Sequence, residues 1–248
     1  MVYINPSINI LSKSLRNIGR NLLRDFSEIE KLQSSIKGTD DFSRKTIFKI
    51  KKKIHLILND FKPEYKFQFS ESKKIDDTNK IWFICPLNGF VNFSHGIPHF
   101  CISISMSENS KIIAELIYDP VKDEMFYASE GEGAYLNDSR IRVSSRSNIK
   151  NSVIIINNIS KSKIIKIKDN FLFLRETGCS NLDKCYVASG RSEAFIQMNT
   201  TSNEFIPGKL IIKEAGGIAE SRNIDKNNIF YASNSKCQKL IKEIINNM

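Results

Sequence analysis

Long hydrophobic runs are missing from this chain. Nowhere do 18 apolar residues follow one another, so no membrane-spanning helix is expected. The opening stretch MVYINPSINILSKSLRNIGR has neither a continuous apolar core nor a small-residue cleavage site, so no secretory leader is expected and the cytoplasm is the expected compartment. Cysteine is sparse and odd in number. Cys85, Cys101, Cys179, Cys185 and Cys237 form no C-x-x-C pair, which argues against a disulfide framework or zinc ribbon and for reduced thiols. No internal repeat, linker or low-complexity tract stands out. The turn Gly131-Glu132-Gly133 opens no helical pattern, which removes a dinucleotide-binding fingerprint.

What is present is ordinary globular composition: 41% hydrophobic and 26% charged residues, enough in 248 residues for a substantial core. The expected organisation is one unit over residues 1–248. A helix pair and an antiparallel meander would occupy 1–150, and alternating helices and strands 151–248. The 37 basic residues outnumber the 27 acidic ones, giving a net charge of +10. That excess suits RNA, DNA or an acidic partner. Enrichment in Lys, Asn and Ile, the residues of AT-rich codons, offers compositional drift as the plainer explanation.

Ile8, Leu11, Leu15, Ile18 and Leu22 recur at helical spacing and predict an amphipathic helix. A second helix is predicted over 43–59, burying Ile47, Ile50, Ile54 and Ile57 and exposing Arg44, Lys45, Lys49, Lys52 and Lys53. Strands are predicted at 80–85, 101–106, 112–118, 124–128, 151–157, 193–198 and 229–232, separated by turn residues. Helices are predicted at 181–189, 204–215 (with Pro207 in its first turn) and 235–245.

The segment IWFICPLNGFVNFSHGIPHF, residues 81–100, resembles the DPLDGT–N-F–HG-PHF signature of the inositol monophosphatase family, in particular its bacterial SuhB-like branch. Four further stretches are similar to that family: LRDFSEIEKLQSSIKGTDD, IIAELIYDPVKDEMFYASEGEGAYLNDSRIRVS, YVASGRSEAF with KLIIKEAGGIA, and FYASNSKCQKLIKEI. The resemblance implies an α/β fold, a layered αβαβα sandwich, a homodimer, and Mg²⁺-dependent hydrolysis of phosphate monoesters.

It also implies where a site would lie. The family's metal ligands map onto Ser70, Cys85, the Leu87 carbonyl, Asn88 and Glu204. Glu71 adjoins the first of these, and a one-residue slip would make it the ligand. Magnesium needs several hard anionic oxygens, and a thiol is a soft substitute. The four ligand carboxylates of the family pattern thus fall to one, Glu204, or two with Glu71. Phe90 stands where a threonine activates water, and Ile47 where an acid supports it. Gln197 replaces a glutamate that grips a sugar hydroxyl. The amides of Gly89 and Phe90, and the helix end at Gly178, Cys179 and Ser180, remain as candidate anion holders. His95 and His99 are explained by the family's loop. A zinc site joining them to Cys85 is a weaker reading.

Two functions follow from the resemblance. One is a scaffold without Mg²⁺-dependent activity and with no cofactor expected, binding Nus factor, RNA polymerase or RNA as the SuhB branch does. The other is a weakly active phosphatase that uses Mg²⁺. Binding of a phosphate ligand without turnover is a third option.

Overall fold

The computed structural model describes residues 6–32, 36–72, 79–148, 151–168, 173–198, 206–224 and 227–246. The first apolar stripe forms helix α1 (Pro6–Leu32), with Ile8, Leu11, Leu15, Ile18 and Leu22 all buried. Helix α2 (Ile36–Phe61) is longer than its predicted core and buries Ile50, Ile54 and Leu58 beside them. At roughly 1.5–3 kcal/mol for each fully buried aliphatic side chain, this shared stripe outweighs any intrinsic helix preference.

Seven strands follow in a sheet ordered β1-β2-β3-β4-β5-β6-β7. They are β1 (Lys66–Phe69), β2 (Lys80–Asn88), β3 (Cys101–Glu108), β4 (Lys111–Asp119), β5 (Glu124–Ser129), β6 (Gly133–Leu136) and β7 (Ser139–Ile141). Only β1 and β2 pair in parallel; the rest is an antiparallel meander. A one-turn helix, α3 (Phe90–Ser94), leaves the end of β2.

The second sheet has the order β11-β12-β10-β8-β9. Its strands are β8 (Val153–Asn157), β9 (Phe173–Arg175), β10 (Ala194–Met198), β11 (Ile218–Ile224) and β12 (Asn227–Ser233). Helices α4 (Lys161–Lys168), α5 (Ser180–Ala188), α6 (Lys209–Glu214) and α7 (Gln238–Asn246) complete the described elements.

Three apolar clusters order these into layers. One joins α1 and α2 to the first sheet through Trp82, Ile104 and Leu116. The second puts α5 and α6 between the sheets, with Ile117 and Phe126 on one side and Phe195 and Phe230 on the other. The third packs Ile167 of α4 and Ile241 and Ile245 of α7 on the outer face of the second sheet. The order is αβαβα, as the resemblance implies. Among the described residues no helix is long and apolar enough to cross a membrane.

The middle layer is pinned by one acid. Glu115, fully buried on β4, accepts hydrogen bonds from the amides of Gly208 (2.7 Å), Leu210 (3.1 Å) and Ile211 (3.1 Å) and from the Ser105 hydroxyl (3.0 Å). A carboxylate on the orphan amides of a helix start satisfies them and complements the dipole. This cap corrects the helix predicted over 204–215: α6 starts only at Lys209, because Gly208 before it has φ +91° and Pro207 lies in the preceding turn. Its first two predicted residues, Glu204 and Phe205, lie outside the described residues.

Candidate functional site

Strand β2 carries an irregularity where the chemistry is expected. Cys85 pairs with Ser103, and Asn88 with Cys101, so three steps on β2 face two on β3. A bulge of this kind re-aims side chains, and Pro86, which has no amide hydrogen to donate, sits inside it. Gly89 then turns the chain into α3 with φ +88°. A Cβ there would lie 2.8 Å from the His99 carbonyl oxygen, so glycine is required.

The bulge opens onto a cavity of about 320 Å³ that gathers Ser70, Glu71, Cys85, Leu87, Asn88, Gly89 and Phe90. Ile47 also lines it, as does Arg44 one helical turn earlier on α2. The predicted site positions from 70 to 90 therefore converge in space. Glu204 lies outside the described residues. Gln197 is buried on β10, away from this lining, and its side-chain oxygen has no partner among the described residues.

Each donor in the cavity has its own environment. Burial pushes the Cys85 thiol up to about 12, despite a hydrogen bond with Ser70, so it is a neutral thiol at physiological pH. Glu71 forms an ion pair with Lys51 at 2.7 Å, in which both side chains keep solvent access. Asn88 points its amide oxygen at the start of α5, accepting the backbone N–H of Asn181 at 2.9 Å and the Cys179 thiol at 3.3 Å.

That last contact changes the expectation for Gly178, Cys179 and Ser180. The helix end they begin is closed by the signature segment instead of being open to an anion. Cys179 and Ser180 are buried. The Asn92 amide donates to the carbonyls of His99 and Thr177, both at 2.8 Å, and fills the space beside Gly178, where a Cβ would meet it at 3.0 Å. Just inside the helix, the Thr177 hydroxyl donates to Asp183 at 2.6 Å, while the other Asp183 oxygen has no partner among the described residues. Burial pushes that carboxyl up to about 7, against the opposing Thr177 hydrogen bond.

His95 and His99 do not line the cavity. His95 Nδ1 sits 2.9 Å from the Val91 carbonyl, and the His99 ring packs 6.0 Å from that of Tyr186. Among the described residues no group of three or more His, Cys, Asp or Glu side chains is arranged to hold a metal ion. Arg44 is the feature that sequence reading placed elsewhere, on the outer basic face of the helix. Its guanidinium lies 5.3 Å from the Phe90 ring centroid. Its spacing three residues before Ile47 was the available signal, since residues three apart share a helix face.

Known proteins are similar to this chain along most of its length. The Inositol-1-monophosphatase of Rhizobium meliloti (strain 1021) is 32% identical over 221 residues, covering 85% of this chain and 83% of that protein. The Nus factor SuhB of Haemophilus influenzae is 28% identical over 257 residues, covering 98% and 96% respectively. The crystal structure of the extragenic suppressor protein SuhB from Bartonella henselae superposes with a TM-score of 0.85 at 29% identity, covering 98% of this chain and all of that one. The family model for the inositol monophosphatase family matches residues 5–244, the two sheets and the cavity between Ile47 and Phe90 included. A match spanning both halves of the sandwich and the bulged strand that carries the cavity leaves a single assignment: the chain belongs to the inositol monophosphatase family.

Proposed function

We propose that this chain has lost the magnesium-dependent phosphatase activity after which its family is named and serves as a binding scaffold. The observation that carries the reading is the donor set of the cavity. Ser70, Cys85, Asn88 and Phe90 are all uncharged, and Glu71 alone among the described lining residues is a carboxylate.

Magnesium demands oxygen ligands, sheds water reluctantly and is held by carboxylates. A neutral thiol and an amide oxygen already accepting an N–H are poor replacements. The Lys51–Glu71 pair is not what decides the matter, because a solvent-exposed pair is worth at most about 1 kcal/mol and a dication would displace it. The missing carboxylates weigh most: the described lining residues do not fit clustered magnesium. Phe90 further has no hydroxyl with which to orient a water molecule.

The relatives named Nus factor SuhB support a role in a Nus-factor assembly; within this proposal the partner is a Nus factor, RNA polymerase or RNA, and the working form is a homodimer in the cytoplasm. The relatives named inositol-1-monophosphatase favour a second reading, a weak phosphatase using Glu71, the Leu87 carbonyl, Asn88 and Glu204.

Phosphate release from inositol 1-phosphate under magnesium titration separates the two readings. The expected result is no metal-dependent release from the native chain and measurable release from the triple variant Cys85→Asp, Asn88→Asp, Phe90→Thr. Release from the native chain that matches the variant and is abolished by Glu204→Ala establishes the phosphatase instead.

A further inference from the structure

We propose that the cavity under Arg44 binds a phosphate monoester with no metal ion, the Arg44 guanidinium supplying the positive charge that magnesium supplies in an active phosphatase. This inference rests on the reading above that the donor set does not fit magnesium.

The charge balance of the cavity is the first support. Its described lining has one acid, Glu71, and one base, Arg44, and the acid is already matched by Lys51 at 2.7 Å. The remaining described walls are neutral, so Arg44 is left as the uncompensated charge. Carboxylates around an empty cavity would repel a phosphate dianion until cations screened them. Among the described walls the one carboxylate is already paired with Lys51, so a dianion meets the Arg44 cation with little of that repulsion.

The position of Arg44 is the second support. Its guanidinium lies 5.3 Å from the Phe90 ring centroid, and no carboxylate among the described residues pairs with it. An aromatic ring under a guanidinium holds the planar fork by cation–π attraction and leaves its edge N–H groups for a ligand. That fork matches two phosphate oxygens at once, and such charge-assisted bidentate pairs are the stronger class of hydrogen bond. Phe90 then has a role, as the platform for the cation that replaces the metals.

The third support is the closing of the other anion-binding end. Asn88 occupies the Asn181 amide, and Asn92 packs beside Gly178, so the α5 start offers a ligand no competing site. A volume of about 320 Å³ admits a phosphate with a small polyol or sugar and excludes large ones. Phe90 brings no hydroxyl to orient water, and the proposal is binding without turnover.

Thermal unfolding and titration calorimetry of the full chain in excess EDTA test the proposal. Inorganic phosphate and inositol 1-phosphate are expected to raise the melting temperature, and myo-inositol is not. Arg44→Gln is expected to weaken phosphate binding about tenfold or more, roughly 1.4 kcal/mol, with the unliganded melting temperature unchanged because the side chain is exposed. Arg44→Lys, which keeps the charge and loses the fork, should fall between.

No stabilisation by phosphate in EDTA overturns the proposal, as does equal binding by Arg44→Gln. Phosphate binding that appears only with magnesium and is accompanied by hydrolysis overturns the preceding functional reading. Absence of both hydrolysis and metal-free binding overturns this inference alone.

Discussion

Asp183 is the residue at which pH should act on this fold. Its carboxyl is buried, has one oxygen on Thr177, and is raised from 3.8 to about 7. The folded state therefore binds this proton more tightly than the unfolded chain. Its contribution is intact below the ordinary value and is lost as pH rises toward neutrality. A three-unit shift corresponds to about 4 kcal/mol at most, and the nearby Lys184 ammonium reduces the cost of ionisation. The expected outcome is a melting temperature that falls between about pH 4 and about pH 7 and levels off above, with Asp183→Asn flattening that fall. Parallel slopes for the two proteins would place the pH response elsewhere. Nothing in the sequence signalled this, because Asp183 reads as an ordinary acid in the first turn of a helix; burial by the loop at 177–179 makes it unusual. The cavity positions from Ser70 to Phe90 were legible, since the order of the signature survives its substitutions. Arg44 was hinted at only by its spacing from Ile47; the packing of α2 over α3 is what brings it to Phe90.

At the scale of elements, strong periodicity decided what could be read. Helices α1 and α2 and the strands β2 to β5 have apolar patterns long enough to declare themselves. The pieces left unread are short or carry mixed signals: the four-residue β1 and β6, the three-residue β7 and β9, α3 inside the signature, the lysine-rich α4, and β11, whose sequence IAESRNI lacks a continuous apolar run. Helix α6 was predicted too long because its start is fixed from outside by Glu115 on a distant strand. Removing that carboxylate strands three buried amides at once. Glu115→Ala is expected to cost about 3 kcal/mol or more in urea unfolding, and Glu115→Gln less, since its amide oxygen still accepts. A loss under about 1 kcal/mol for the alanine variant would mean that water or a neighbour takes over the cap.

For the whole molecule, the +10 charge and the apolar faces act on different kinds of association. Contacts with RNA release counterions, and their affinity falls linearly with log salt. A homodimer held by apolar burial does not weaken in that way. Retention of RNA or an acidic partner by the purified chain is therefore expected to disappear as salt is raised, while a dimer measured by light scattering persists. Retention unchanged by salt would remove the charge surplus from the account of binding.

The Glu115 cap also bears on how the chain is made. The meander from β2 to β7 joins neighbours in sequence and can zip together as it leaves the ribosome, whereas the amides of Gly208, Leu210 and Ile211 emerge long afterwards. Until then the nascent half-sandwich holds an acid with no helix to cap and an apolar sheet face with no cover. The face that α6 covers is thus bare throughout the interval between the synthesis of β7 and that of α6.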